Sequence, residues 1–328
     1  MIKFIIEGFA PWKSDVLRQE TAMWKKILDN LSVTYYIVGK NRKGILMMQN
    51  PKWLIEDFDP DNKFLDLAEE ANRQGCDVRV EKYIPFEGAK LDFFKEDDIV
   101  LTQTSINLAL QIQKQTNWKP GPWLTAQHYE CTHYYPILQK AGIPLLNGNC
   151  LFEKRKMIQE HIDEIVKEFG ETGSGRIFIR PSSGLKPFTG MVFIYKEPYD
   201  LFEIDWYWVT LGTTEDDILL VAKPFGYDDR VTNEWRFIAA EGEIITGSHY
   251  MNSDYETPVA PESLELAIEA AKVYQPDPMY TVDVCKTANG KFHVMELNSF
   301  SCAGLYGCDL KPVVERAIDI ARKLNGNL

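Results

Sequence analysis

The most informative stretch of the chain reads Tyr280-Thr281-Val282-Asp283-Val284-Cys285-Lys286-Thr287-Ala288-Asn289-Gly290-Lys291-Phe292-His293-Val294-Met295-Glu296-Leu297-Asn298. Two runs rich in β-branched and aromatic residues flank Ala288-Asn289-Gly290, and Asn-Gly is a strong short-range hairpin signal. The spacing therefore predicts two antiparallel strands. Asp283 lies six residues before Asn289 and Glu296 six after Gly290, which predicts the two carboxylates side by side across the ladder. Alternation of side chains along a strand puts Asp283, Glu296 and Asn298 on one face. Two carboxylates and an amide oxygen are hard ligands of the kind magnesium takes. The alternative is an exposed hairpin with ordinary surface acids, and alternation does not separate the two.

Upstream, Phe178-Ile179-Arg180-Pro181-Ser182-Ser183-Gly184-Leu185-Lys186-Pro187-Phe188-Thr189-Gly190-Met191-Val192-Phe193 is an apolar strand ending in a cation, a loop of small and hydroxyl residues with a second cation, and another strand. Glycine lets backbone N–H groups approach phosphate oxygens, and lysine and arginine supply positive charge. A phosphate-covering hairpin loop fits, as does a surface hairpin with a mobile tip. A Walker loop is excluded, because no G-x-x-x-x-G-K-S/T occurs. In Asn233-Glu234-Trp235-Arg236-Phe237-Ile238, Glu234 and Arg236 share a strand face. Taken alone, that is a half-buried strand with a solvated side. The apolar run Leu219-Leu220-Val221-Ala222-Lys223-Pro224-Phe225 is either core or a hinge whose backbone faces a base.

The first half alternates strands and helices. Strands are predicted at 2–7, 33–38, 45–48, 77–83 and 99–102, and helices at 15–31, 63–74 and 105–115, the last capped by Ser105. This rhythm implies a sheet with helices packed on it. Past a predicted strand at 143–146 and a turn at 147–149, a helix is expected at 151–169. Strands then dominate, at 176–180, 190–195, 218–223, 234–240, 243–250, 280–286 and 291–297, with helices at 261–274 and 311–324. The boundary is placed at 146/147, giving an N-terminal α/β domain and an antiparallel-rich α+β domain over 147–328.

In order and spacing, these motifs resemble the ATP-grasp superfamily over roughly residues 143–328. The family pattern has an Asn-rich turn before a lysine-bearing helix, a Lys-Pro strand end, a glycine-rich loop and an adenine hinge. A Glu-x-Arg strand and an Asp strand paired with a Glu-x-Asn strand follow. Here the strand end is Arg180-Pro181 in place of Lys-Pro, and Arg180, Pro181, Lys186, Pro187, Phe188 and Gly190 resemble the Arg-Pro…Lys-Pro-Phe-x-Gly signature of a bacterial and phage clade. The resemblance implies a pre-ATP-grasp-like domain followed by an ATP-grasp fold of two α+β subdomains with ATP between them. It implies that Lys154, Arg180 and Lys186 contact ATP, that Val221, Ala222 and Lys223 form the hinge, and that Glu234 and Arg236 lie at the nucleotide. Arg236 and Lys186 would act on the transferred phosphoryl group, and Asp283, Glu296 and Asn298 would hold magnesium, two ions in all. The implied chemistry is ADP-forming ligation of a carboxylate to an amine or thiol through an acyl phosphate, on a small molecule or peptide. Loop 182–189 is the implied lid, and 299–307, with Ser299, Ser301 and Cys302, the acceptor-side loop. A phosphotransferase and a non-catalytic nucleotide-binding module are the competing readings.

The 328-residue chain has 36 basic and 48 acidic residues, net charge −12, 45% apolar and 26% charged residues. That is a globular composition, and its acidic balance argues against non-specific nucleic-acid binding, which needs surplus basic charge. No run approaches the roughly 18 apolar residues of a membrane span. Residues 1–8 show no cleavage-site pattern and are expected to be a strand rather than a targeting segment. Six dispersed cysteines without a C-x-x-C pair fit reduced thiols in the cytoplasm. A homodimer is left open. His128, Cys131 and His133 match no standard zinc spacing, and packing roles are expected for them. The tip 40–43 is expected to be solvated, and Cys302 has no evident base to make it a nucleophile.

Overall fold

The computed structural model describes residues 50–58, 63–197, 200, 207–209, 212–227 and 229–326. The elements predicted at 2–7, 15–31, 33–38 and 45–48, and the tip 40–43, lie outside the described residues. Residues 50–328 belong to one compact unit.

Strand β1 (Lys52–Glu56) pairs in parallel with β2 (Asp77–Glu81) and with β3 (Ile99–Gln103), and β3 pairs in parallel with β4 (Lys119–Gly121), giving the order β2-β1-β3-β4. β1 is apolar without alternation because both its faces are covered. Trp53 and Ile55 meet helix α1 (Phe64–Arg73), while Leu54 joins Val100 against Leu108 and Ile112 of α2 (Ile106–Gln115). Both helix predictions hold. Gly75 follows α1 at φ 84°, a conformation glycine adopts without strain, and the Ser105 hydroxyl accepts from Leu108 N–H at 3.3 Å. Helix α3 (Cys131–Lys140) leads out of this layer.

The next sheet is antiparallel, in the order β5-β8-β6-β7: β5 Cys150–Lys154, β6 Arg176–Pro181, β7 Met191–Ile194 and β8 Ile218–Ala222. The helix expected over 151–169 is corrected here. Residues 150–154 form β5, followed by α4 (Arg155–Glu160) and α5 (Ile162–Phe169). Leu151 packs in the core with Ile158 and Ile162, whereas Cys150 and Phe152 pack with α3 on the opposite face. Packing on alternating faces is satisfied only by an extended chain, and pairing with β8 overrides local helix propensity. The strand expected at 143–146 is also corrected. It amounts to a single bridge, Leu145 beside Val294.

The third sheet, order β10-β9-β11-β12, joins β9 (Val231–Ala240), β10 (Glu243–His249), β11 (Met279–Thr287) and β12 (Phe292–Ser299), all antiparallel. One face, with Trp235, Phe237, Tyr280, Val282 and Leu297, is covered by α3 and by α6 (Pro261–Val273). On the other face, Ile238, Ala240 and Met279 pack with α7 (Leu310–Leu324) and Trp53. Further along that face the residues become charged. The parallel sheet with helices, followed by two antiparallel sheets each with helices, is the predicted fold class.

Candidate functional site

The charged end of the third sheet is built by register. β11 lies on β9 with Asp283 opposite Arg236. The guanidinium donates from Nε to Asp283 Oδ1 at 2.8 Å and from Nη2 to Oδ2 at 2.6 Å. Its Nη1 donates to Gly304 O at 3.0 Å, and the group lies 4.8 Å from the Tyr306 ring centroid and 5.5 Å from that of Tyr250. Asp283 is 1% exposed and Arg236 6%. A buried pair is tolerated when the remaining donors are satisfied in this way. Burial raises the Asp283 pKa above the usual carboxylate range, and Arg236 only partly offsets it.

Glu296 faces Asp283 across the hairpin, as the equal spacing predicts. Two departures from a simple hairpin cancel to produce that pairing. Thr287 N–H donates to Lys291 O and Gly290 N–H to Thr287 O, so the turn holds three residues, with Gly290 at φ 83°. That moves the register by one, and Val284 pairs with Val294. Met295 is then an extra residue on β12, and beyond it Asp283 meets Glu296. Without that bulge Glu296 would turn to the opposite face. Asn298 Nδ2 donates to Asp283 Oδ2 at 3.1 Å and to Glu296 Oε1 at 3.2 Å, which fixes the three together.

Cations arrive from the second sheet. Arg180 on β6 donates from Nη2 to Glu296 Oε2 at 3.0 Å. Lys186 Nζ donates to Glu296 Oε1 at 2.8 Å and to Asn298 Oδ1. Burial works to raise the Glu296 pKa, but Lys186 and Arg180 outweigh it and hold the carboxyl well below its usual range. The loop carrying Lys186 is tied at both ends. Ser182 O accepts from Cys131 N–H, and Ser182 Oγ accepts from Thr132 N–H at 3.1 Å. Phe188 is buried beside Ile177 and Ile179. A Cβ on Gly184 would lie 2.7 Å from Ala126 O and from Tyr129 Cβ, so only glycine fits there.

Lys154 ends β5 on the face that carries Phe152 and Arg180, but its ammonium pairs with Asp216 at 2.8 Å, away from the cluster. Val221 and Ala222 lie within the ladder between β5 and β6, and Lys223 is the first residue past it. Glu234 is two residues from Arg236 on the same strand face. Burial raises its pKa, and the charges of Asp283 and Glu296 push the same way. Tyr250, Tyr306 and Gly304, which hold Arg236, left no signal in the spacing. The Tyr250 and Tyr306 rings stack at 4.7 Å. His128 and His133 stack on each other, and Cys131 is buried beside Tyr134. Burial pushes the Cys302 thiol up to about 12, against a thiolate nucleophile there.

As metal ligands, Asp283, Glu296 and Asn298 offer two carboxylates and one amide oxygen at one point. That donor set fits magnesium, which binds through one or two carboxylates and leaves other positions to water and phosphate. Among the described residues no cluster of three or more His, Cys, Asp and Glu side chains suited to a metal occurs.

The sequence model of an ATP-grasp domain, family 2 of the R-2-K clade, matches residues 152–316. The chain belongs to this family. The match spans β5 to α7 and so contains every cation and ligand described above. No curated protein sequence matches the chain. Among solved structures, this ATP-grasp chain is similar to D-cycloserine synthetase DcsG at TM-score 0.57 and 12% identity, covering 82% of this chain and 99% of that one. It is similar to the D-alanine-D-alanine ligase from Coxiella burnetii at TM-score 0.54 and 11% identity, covering 84% and 96%. D-alanyl-alanine synthetase A from Vibrio cholerae gives TM-score 0.52 and 12% identity, covering 86% and 100%. The chain therefore shares the fold of these solved structures over most of its length. No helix among the described residues is long and apolar enough to cross a membrane.

Proposed function

We propose that this protein is an ATP-dependent, ADP-forming ligase that activates a carboxylate as an acyl phosphate and transfers it to an amine or thiol. The substrate is a small molecule or a peptide. The observation that carries the reading is the convergence of Arg180, Lys186 and Arg236 with Asp283, Glu296 and Asn298, from two facing sheets of an ATP-grasp domain. Phosphoryl transfer depends on positioning and on neutralising charge spread over phosphate oxygens, which is what such a set of side chains supplies.

In this reading Arg236 and Lys186 stabilise the transferred phosphoryl group. Arg180 and Lys154 contact the nucleotide, Val221 to Lys223 flank the base, and Glu234 borders the site. Asp283, Glu296 and Asn298 hold two magnesium ions, which when bound neutralise the phosphates. The closed loop 182–189 excludes water that would hydrolyse an acyl phosphate. Arg180-Pro181 and Lys186-Pro187-Phe188 with Gly190 are the clade signature. Residues 147–328 form the catalytic domain, and the parallel-sheet region around Gln103 helps to form the acceptor site. Support comes from the loop after β12, where Ala303 O accepts from Gln103 Nε2 at 2.7 Å and Gly304 O accepts from Arg236. Six free cysteines support a reducing, cytoplasmic setting.

Calorimetric titration with a non-hydrolysable ATP analogue tests the reading. Wild type is expected to bind it only with magnesium, and Glu296→Gln to bind about tenfold more weakly or worse. A folded wild type that binds no nucleotide would overturn the proposal.

A further inference from the structure

Five side-chain oxygens belong to the three candidate ligand residues, and each accepts from a cationic side chain. Both Asp283 oxygens take Arg236, Glu296 Oε2 takes Arg180, and Glu296 Oε1 and Asn298 Oδ1 take Lys186. Three cations face two carboxylates here, with Glu234 beside them on the Arg236 strand face. A divalent cation entering alone would meet oxygens that each already face a cation. Triphosphate oxygens entering with it would offset its charge and give the displaced cation somewhere to go.

The three cations differ in their freedom to leave. Arg236 is held by a two-pronged pair, a carbonyl and two tyrosine rings, and its side chain is 8% exposed. The Arg180 side chain is 14% exposed on a paired strand. The Lys186 side chain is 32% exposed, and its ammonium is held by Glu296 and Asn298. It reaches them from a left-handed backbone at φ 46°, on a loop tied at Ser182, Gly184 and Phe188. Release therefore needs a swing of the flexible lysine stem and no opening of the loop.

We infer that Lys186 is a latch on the metal ligands: in the nucleotide-free protein its ammonium occupies Glu296 and Asn298, and only a phosphate draws it off. The latch makes divalent-cation binding conditional on nucleotide, and it guards the two ligands until substrate arrives. It rests on the nucleotide-site reading above and adds an order of events to it.

Manganese(II) alone is the probe, followed by the loss of the free-ion paramagnetic resonance signal, without nucleotide. Wild type is expected to bind weakly, and Lys186→Met to bind at least about tenfold more tightly. Lys186→Gln should behave likewise, which covers the case of one variant folding poorly, as checked by thermal melting. Adding Glu296→Gln to Lys186→Met should abolish the gain. Wild type binding manganese as tightly as the lysine variants, or a gain that survives loss of Glu296, would overturn the latch. A separate titration of wild type with the ATP analogue and manganese judges the nucleotide site. No binding there would count against the ligase reading, whereas the nucleotide-free comparison judges the latch by itself.

Discussion

The two carboxylates of the site are neutralised in opposite ways. Asp283 and Arg236 sit on adjacent paired strands, almost without exposure, joined by two hydrogen bonds. The Glu296 side chain is 20% exposed and is neutralised from the second sheet by a strand arginine and a loop lysine. Sheet register sets the first pair, and breaking it leaves a charge in the core. The approach of a second sheet and its loop makes the second cluster, and its lysine can be exchanged for solvent or a ligand. The contrast separates a rigid half of the site, which holds geometry, from a yielding half, which can respond to substrate.

The largest effect should come from breaking the rigid half. Arg236→Met leaves Asp283 buried without its partner and should lower unfolding stability by about 3–5 kcal/mol in a denaturant titration. A loss below about 1 kcal/mol would mean that Asp283 is protonated or hydrated in the fold. Next, Gly184→Ala places a methyl 2.7 Å from Ala126 O and Tyr129 Cβ. A cost of about 1–3 kcal/mol is expected, together with faster proteolysis of the loop, because the chain must lift to relieve the overlap. An unchanged loop would show that its ends are not what holds Lys186 in place.

A reference for both halves lies in the parallel sheet, where Asp98 accepts from Lys52 Nζ at 2.6 Å and from Lys95 N–H at 2.8 Å. Burial works to raise the Asp98 pKa, but Lys52 and the Lys95 amide outweigh it and leave it lowered. A lowered folded-state value stabilises above the unfolded aspartate pKa of about 3.9 and loses that gain as pH falls through the folded value. Asp98→Asn should therefore cost about 1 kcal/mol at neutral pH, and that cost should shrink progressively as pH falls below about 3.9, as read from unfolding curves at each pH. The smallest change is expected from Lys186→Met, about 1 kcal/mol in stability, because Arg180 still donates to Glu296 when the lysine is gone. Binding, not stability, is where that variant should differ from wild type.

The hairpin at the heart of the site was readable because turn chemistry and alternation are local. Asn289-Gly290 marks the turn, and equal spacing pairs Asp283 with Glu296. Yet the equality survives only because the three-residue turn and the Met295 bulge cancel, which no local rule specifies. Residues 150–154 show the opposite case. Their spacing also suits a helix, and only burial on two sides and pairing with β8 make them a strand. Nothing in the spacing marks Tyr306 and Gly304 as neighbours of Arg236, because a loop more than sixty residues away delivers them.

Local sequence was enough to set the element types over most of the described chain, the shared face of Asp283, Glu296 and Asn298, and the succession of motifs that marks an ATP-grasp domain. These rest on period-two and period-3.6 burial and on turn residues, which act within a few positions of the chain. Tertiary packing settled that Arg236 spends its charge on Asp283, that Lys154 turns to Asp216, and that Lys186 closes on Glu296 and Asn298. Long charged side chains choose among partners within several ångströms, and which partners lie in reach is settled only when separate sheets pack together.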